Sequence, residues 1–214
     1  LDVKKQFVYP GFIDGHCHFV GYGLSLQSVN LVGTKSWEEC ISKTKEFATL
    51  HPDGWITGRG WDQNDWDVKE YPNNKELSEL FPDRPVILNR IDGHGAIANQ
   101  KALDLAGITS ETSIDGGMVR VVGGEPTGVL VDNAVDLVIR NVPQPNEEVL
   151  RKAILQAQKN CFSVGLTTVD DAGLGKTEIE LIQKMHADSS LKMNVYAMIS
   201  NTPENLQFYL GKYL

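Results

Sequence analysis

Apolar positions follow two different periods along this chain, and the changes of period mark its elements. Phe7-Val8-Tyr9 and Phe12-Ile13 form an apolar run that reads as a strand ending at His16-Cys17-His18. From Ser36 the spacing becomes helical: Trp37, Ile41, Thr44 and Phe47-Ala48 make one stripe as far as Leu50. Ser36 can cap that helix, Glu38 and Glu39 suit its first turn, and His51-Pro52-Asp53-Gly54 ends it. The clearest helix spans Glu147 to Cys161, capped by Asn146, with Val149-Leu150, Ala153-Ile154, Ala157 and Cys161 on one face. Gly165 to Val169 then reads as a strand with Asp170-Asp171 at its end. A helix over 177–187, a strand over 192–199 and a last helix from Pro203 to Leu214 follow. That order is a β-α-β unit, whose strands should run parallel.

Between these stretches the pattern breaks up. Residues 55–142 are rich in Gly, Pro and Asn and carry several short strands. Pro85 to Ile91 reads as a buried strand, and a short helix over 99–106 ends at Gly107. Met118 to Val122, the Gly123-Gly124 pair and Pro126 to Val131 read as a hairpin. The predicted fold class is therefore α/β: a partial TIM-type (β/α)8 barrel with a mixed α+β insertion after the first barrel strand. The expected parts are residues 1–54 (first barrel strand and helix), 55–142 (insertion) and 143–214 (further β/α units). About three barrel strands lie outside the insertion, and a closed barrel typically takes roughly 250 residues. The 214-residue chain, which opens on Leu1, thus reads as a piece of a longer chain.

Composition narrows the partners. A net charge of −8 argues against nucleic acid, whose phosphates call for a basic face. No apolar run approaches the length of a membrane span, and no signal peptide opens the chain. Three scattered cysteines, Cys17, Cys40 and Cys161, do not make a disulfide framework; Cys40 and Cys161, on apolar helix faces, read as packing residues, and the set fits a cytoplasmic setting. A part-barrel with exposed strand edges can form homo-oligomers.

The candidate chemistry starts at His16 and His18. Alternate residues of a strand share a face, so both imidazoles should project together while Cys17 points away. That makes a half-site for a divalent metal; two loop histidines at the surface are the plainer reading. His94, between Gly93 and Gly95 after a strand, suggests a side chain presented to a cleft. Trp61, Asp62 and Trp66 suggest a polar-aromatic surface lining a substrate pocket, or a loop held by aromatic packing and Asx turns. Asp170 and Asp171 stand where a barrel keeps its active groups. Asp132 precedes a helix start and can cap it. Gly173 to Thr177 contains Gly-Lys-Thr but lacks the upstream glycine of a phosphate loop.

Val8 to Phe19 (VYPGFIDGHCHF) resembles the first barrel strand of the amidohydrolase superfamily of metal-dependent hydrolases. Four further stretches resemble its amidohydrolase family 3 branch, in order: Gly58 to Trp66, Arg90 to Asn99, Gly124 to Ala134 and Gly165 to Gly173. The resemblance implies a hydrolase that attacks an amide or related non-peptide C–N bond of a small molecule through metal-activated water. It implies a divalent metal, zinc by preference, as one or two ions. It makes His16 and His18 ligands, and Asp132 a third, at a position where the family often has Glu. It places His94 near the substrate as polariser or acid–base group. Asp171 would support a histidine ligand, whereas Asp170 departs from the family's usual His. The remaining ligands would lie beyond this chain, since nothing after Val195 supplies a histidine. The alternative is a non-catalytic fragment or stand-alone domain that binds a ligand or partner through the Trp61–Trp66 surface.

Overall fold

The computed structural model describes residues 2, 4 and 7–213. The first strand, β1 (Phe12–Cys17), passes through His18 directly into α1 (Phe19–Ser25). There follow β2 (Val29–Asn30), α2 (Trp37–Leu50), β3 (Ile56–Trp61), a 3-10 turn over Gln63–Asp65 and α3 (Lys75–Leu80). Next come β4 (Val86–Arg90), β5 (Gly95–Ala98), α4 (Gln100–Leu105), β6 (Gly117–Val122), β7 (Glu125–Asp132) and α5 (Asn133–Ile139). The chain finishes with α6 (Glu147–Ser163), β8 (Leu166–Leu174), α7 (Lys176–Ala187), β9 (Asn194–Ile199) and α8 (Pro203–Tyr213). The expected last residue of that helix, Leu214, lies outside the described residues.

These elements form two units, residues 1–27 with 145–214, and residues 28–144. In the first, β1, β8 and β9 form a parallel sheet in that order, the three barrel strands the sequence predicts. Its core gathers Phe19 and Val20 of α1, Leu150 and Ile154 of α6, Val169 of β8, and Ile179, Ile182 and Met185 of α7. The cap of α6 is as predicted, Asn146 Oδ1 accepting from the Val149 N–H at 2.9 Å. Gly23 lets α1 approach α6 closely, because a Cβ there would stand 2.5 Å from the Ala153 carbonyl oxygen.

The second unit is built on a six-stranded mixed sheet of order β2-β3-β4-β5-β7-β6, parallel from β2 to β4 and antiparallel from there on. The β6–β7 hairpin turns on Gly123 and Gly124, both at positive φ (63° and 85°), as the Gly-Gly pair predicts. One boundary differs from the sequence expectation. Helix α2, assigned there to residues 1–54 of the barrel, belongs to the second unit: Cys40 and Ile41 share a core with Val29, Ile56 and Leu88. An amphipathic helix shows its apolar stripe in sequence but not the sheet that covers it.

Candidate metal and catalytic site

Strand β1 presents the two histidines as its alternation requires. Cys17 packs against the first unit's core, and the rings of His16 and His18 stand 5.9 Å apart, centre to centre and nearly perpendicular (81°). A Zn–N bond of ~2.0–2.1 Å puts each ring centre roughly 3 Å from the ion, so two rings on one ion lie about 5–6 Å apart. The pair fits that span.

The tautomer of His18 is fixed by its partner. β1 stops pairing with β8 at Cys17↔Asp171, and one residue further the Ala172 carbonyl oxygen meets His18 Nδ1 at 2.9 Å. A carbonyl only accepts, so Nδ1 carries the hydrogen and the Nε2 lone pair is left for a ligand. The donor set thus fits two positions of a divalent-metal site. Among the described residues no group of three or more His, Cys, Asp or Glu comes together to hold an ion.

Strand β8 runs on to Leu174, so Asp170 and Asp171 lie inside it and face opposite sides. Asp171 is 1% exposed, and its Oδ2 accepts the Val20 N–H at 2.9 Å. Burial pushes its carboxyl above the usual range, and hydrogen bonds from the Val20 and Phe19 amides oppose that. It is therefore a cap for α1, whose own N-cap residue, His18, makes no side-chain cap. A catalytic role by contact with substrate does not fit so buried a group. Asp170, which the sequence reading set aside, is the half-buried carboxylate on the other face of β8. The alternation of Val169 and Asp171 against Thr168 and Asp170 was the signal for it.

His94 and Asp132 meet within the second unit. The β4–β5 turn presents His94, whose N–H donates to Asp92 Oδ1 at 3.0 Å. Its Nδ1 lies 2.9 Å from Asp132 Oδ1, and the side chains are 73% and 48% exposed. Asp132 is the last residue of β7 and sits at φ 49°, ψ −126°, strained for any residue with a Cβ. It stands at the cap position of α5 but makes no capping bond; its carboxylate turns to His94 instead. Beside them Arg90 pairs with Asp92, the Nε–Oδ1 contact measuring 3.0 Å, and that bond holds the Asp92 carboxyl down at about 2.

The predicted tryptophan surface is core. Trp61 is fully buried with Nε1 donating to the Leu88 carbonyl at 2.7 Å, and Trp66 stacks on it at 5.8 Å between ring centres. The two indoles close the second unit's core, so neither lines a substrate pocket. Asp62 makes the Asx turn that was the plainer reading, its Oδ1 accepting from the Asn64 amide at 2.9 Å. A groove of about 730 Å³ lies elsewhere in this unit, lined by Tyr71, Lys75, Gln100, Arg120 and Glu125, and holds none of the predicted site residues.

YtcJ of Bacillus subtilis (strain 168), described as an amidohydrolase, is 37% identical over 170 residues, 78% of this chain and 32% of its own length. The N-substituted formamide deformylase of Arthrobacter pascens is 30% identical over 204 residues, 90% of this chain and 37% of its own. The crystal structure of an uncharacterized metal-dependent hydrolase from Pyrococcus horikoshii OT3 superposes with a TM-score of 0.71 at 28% identity, over 96% of this chain and 39% of the other. The chain thus spans about a third of the length of the curated relatives it matches. That structural likeness accounts for the α/β architecture as part of a metal-dependent hydrolase fold. Among the described residues no helix is long and apolar enough to cross a membrane. The sequence matches the amidohydrolase family over residues 1–212, and this chain belongs to that family.

Proposed function

We propose that the chain forms part of a metal-dependent hydrolase that cleaves an amide or related non-peptide C–N bond of a small molecule. The observation that carries this reading is the His16–His18 pair at the end of β1, with His18 Nδ1 committed to the Ala172 carbonyl. Imidazole donors suit zinc, and a zinc ion supplies water ionised near neutral pH and an electrophile for a carbonyl oxygen. In this reading His16 and His18 hold the ion. Within the second unit, Asp132 holds the His94 ring through Nδ1, an arrangement that suits an acid–base group. The ligand role that the resemblance gives Asp132 is not carried further, because one of its oxygens is already engaged by His94. The deformylase relative makes N-substituted formamides the first substrates to try. Three unpaired thiols support a reducing, cytoplasmic setting.

A non-catalytic binding domain rested on an exposed Trp61–Trp66 surface, and both side chains are core. The test is the His16→Ala/His18→Ala double variant of the intact native protein. Bound zinc, measured by mass spectrometry of the metal, should fall to background, and turnover of a formamide and amide panel should fall by about a thousandfold or more. Unchanged metal content and turnover would sink the reading.

A further inference from the structure

We propose that Asp171 is the positioning residue for His18, acting from behind the sheet through the first turn of α1. The inference rests on the reading of His18 as a metal ligand. His18 sits between two grips from adjacent residues of β8. Its ring is held by the Ala172 carbonyl at 2.9 Å, and the backbone just after it by the Asp171 carboxylate on the Val20 N–H, also at 2.9 Å. Its own carbonyl oxygen accepts the Tyr22 N–H at 2.7 Å, which opens α1. Ring, following amide and carbonyl are thus all tied, and two of the three ties come from one dipeptide of β8.

The chemistry of Asp171 is that of a support. The carboxylate is buried on the core side of β8 and reaches no solvent-facing surface. A buried carboxylate is costly unless hydrogen-bonded, and here its partners are backbone amides of a helix start that lacks a cap of its own. Those amides lie one and two residues after His18, so moving them rotates the His18 backbone and draws Nδ1 away from Ala172. The ring would then lose its single tautomer, and Nε2 its fixed direction. Loss of such outer support typically costs a metal site about tenfold to a hundredfold in affinity.

The experiment compares Asp171→Ala and Asp171→Asn with wild type in the intact native protein. Nitrogen-15 spectra of the imidazoles in the metal-free protein report the tautomer, with His18 assigned through His18→Gln. Zinc affinity is measured by competition with a chelator, on samples shown to be folded by circular dichroism. Wild type should show His18 as the single Nδ1–H tautomer. Asp171→Ala should mix the tautomers and weaken zinc by about tenfold to a hundredfold. Should the alanine variant fail to fold, Asp171→Asn decides: it keeps an acceptor oxygen, and some tautomer mixing with a loss of about tenfold is expected. A purely structural Asp171 would lower the melting temperature while leaving tautomer and affinity at wild-type values, and that result overturns the inference. A wild-type protein with the single tautomer but no zinc uptake sinks the hydrolase reading and leaves the positioning of His18 standing.

Discussion

His18 and His94 are both imidazoles tethered at Nδ1 and both end a strand or turn, yet the two units hold them by opposite means. His18 leans on a carbonyl oxygen, with a buried carboxylate fixing the chain beside it. His94 leans on an exposed carboxylate carried by a strained residue, Asp132. A carbonyl orients a ring and does nothing for a charge on it, which suits a neutral metal ligand. A carboxylate orients the ring and also balances a proton that the ring takes up, which suits a group that handles protons. The first unit therefore spends burial on its histidine and the second spends backbone strain. The contrast supports different jobs for two residues that look alike in sequence.

The largest expected effect tests whether the second unit's tryptophans serve its fold rather than a substrate. Trp61→Ala removes a fully buried indole and its bond to the Leu88 carbonyl, and should cost about 3–5 kcal/mol of stability. Urea unfolding reads this directly. A variant with unchanged midpoint but raised KM would return Trp61 to the substrate surface.

Asp132 is the next largest case, and it separates strain from support. Asp132→Gly relieves a strained conformation worth about 1–3 kcal/mol. Against that stand the entropy of glycine, roughly 0.5–1 kcal/mol, and the loss of an exposed bond to His94. Taken together these terms favour a rise in stability, of up to about 2 kcal/mol, while turnover falls. Asp132→Ala keeps the strain and loses the bond, so it should be less stable than the glycine variant. Equal stability of the two would show that the backbone at this position is relaxed.

Much of this was legible in sequence where a local rule decides the outcome. The helices α2 and α6 with their Ser36 and Asn146 caps, the Gly-Gly hairpin and the alternation that sets Cys17 against its histidine neighbours all follow from spacing and residue type. What failed needed contacts between distant residues. Trp61 and Trp66 stand among polar residues in the chain, and only the sheet shows that the indoles turn inward. Asp171 was expected at a strand end, but strand β8 runs on past it to Leu174. Its true partner, Val20, lies 151 residues away. The His94–Asp132 pair spans 38 residues and rests on a backbone angle that no residue pattern announces.

The smallest effect concerns acid, and it sets an exposed carboxylate and a buried one, shifted in opposite directions, against each other. Asp92 is held down at about 2 by Arg90, from an ordinary 3.8. A carboxyl lowered on folding contributes stability that is complete above about 3.8 and is lost as pH falls through 2. Asp171 is shifted the other way by burial, so its contribution is complete below the ordinary carboxylate value and declines as pH rises. Asp92→Asn should therefore be less stable than wild type at pH 6, and the two should converge as the pH is lowered from 4 toward 2. Because the Asp92 side chain is about a third exposed, the gap at pH 6 should be no more than about 1 kcal/mol. Melting temperatures at half-unit intervals between pH 2 and 6 read both slopes. A gap that widened in acid would mean that the Arg90–Asp92 pair does not brace the turn carrying His94. The second unit would then hold its histidine by the strain at Asp132 alone.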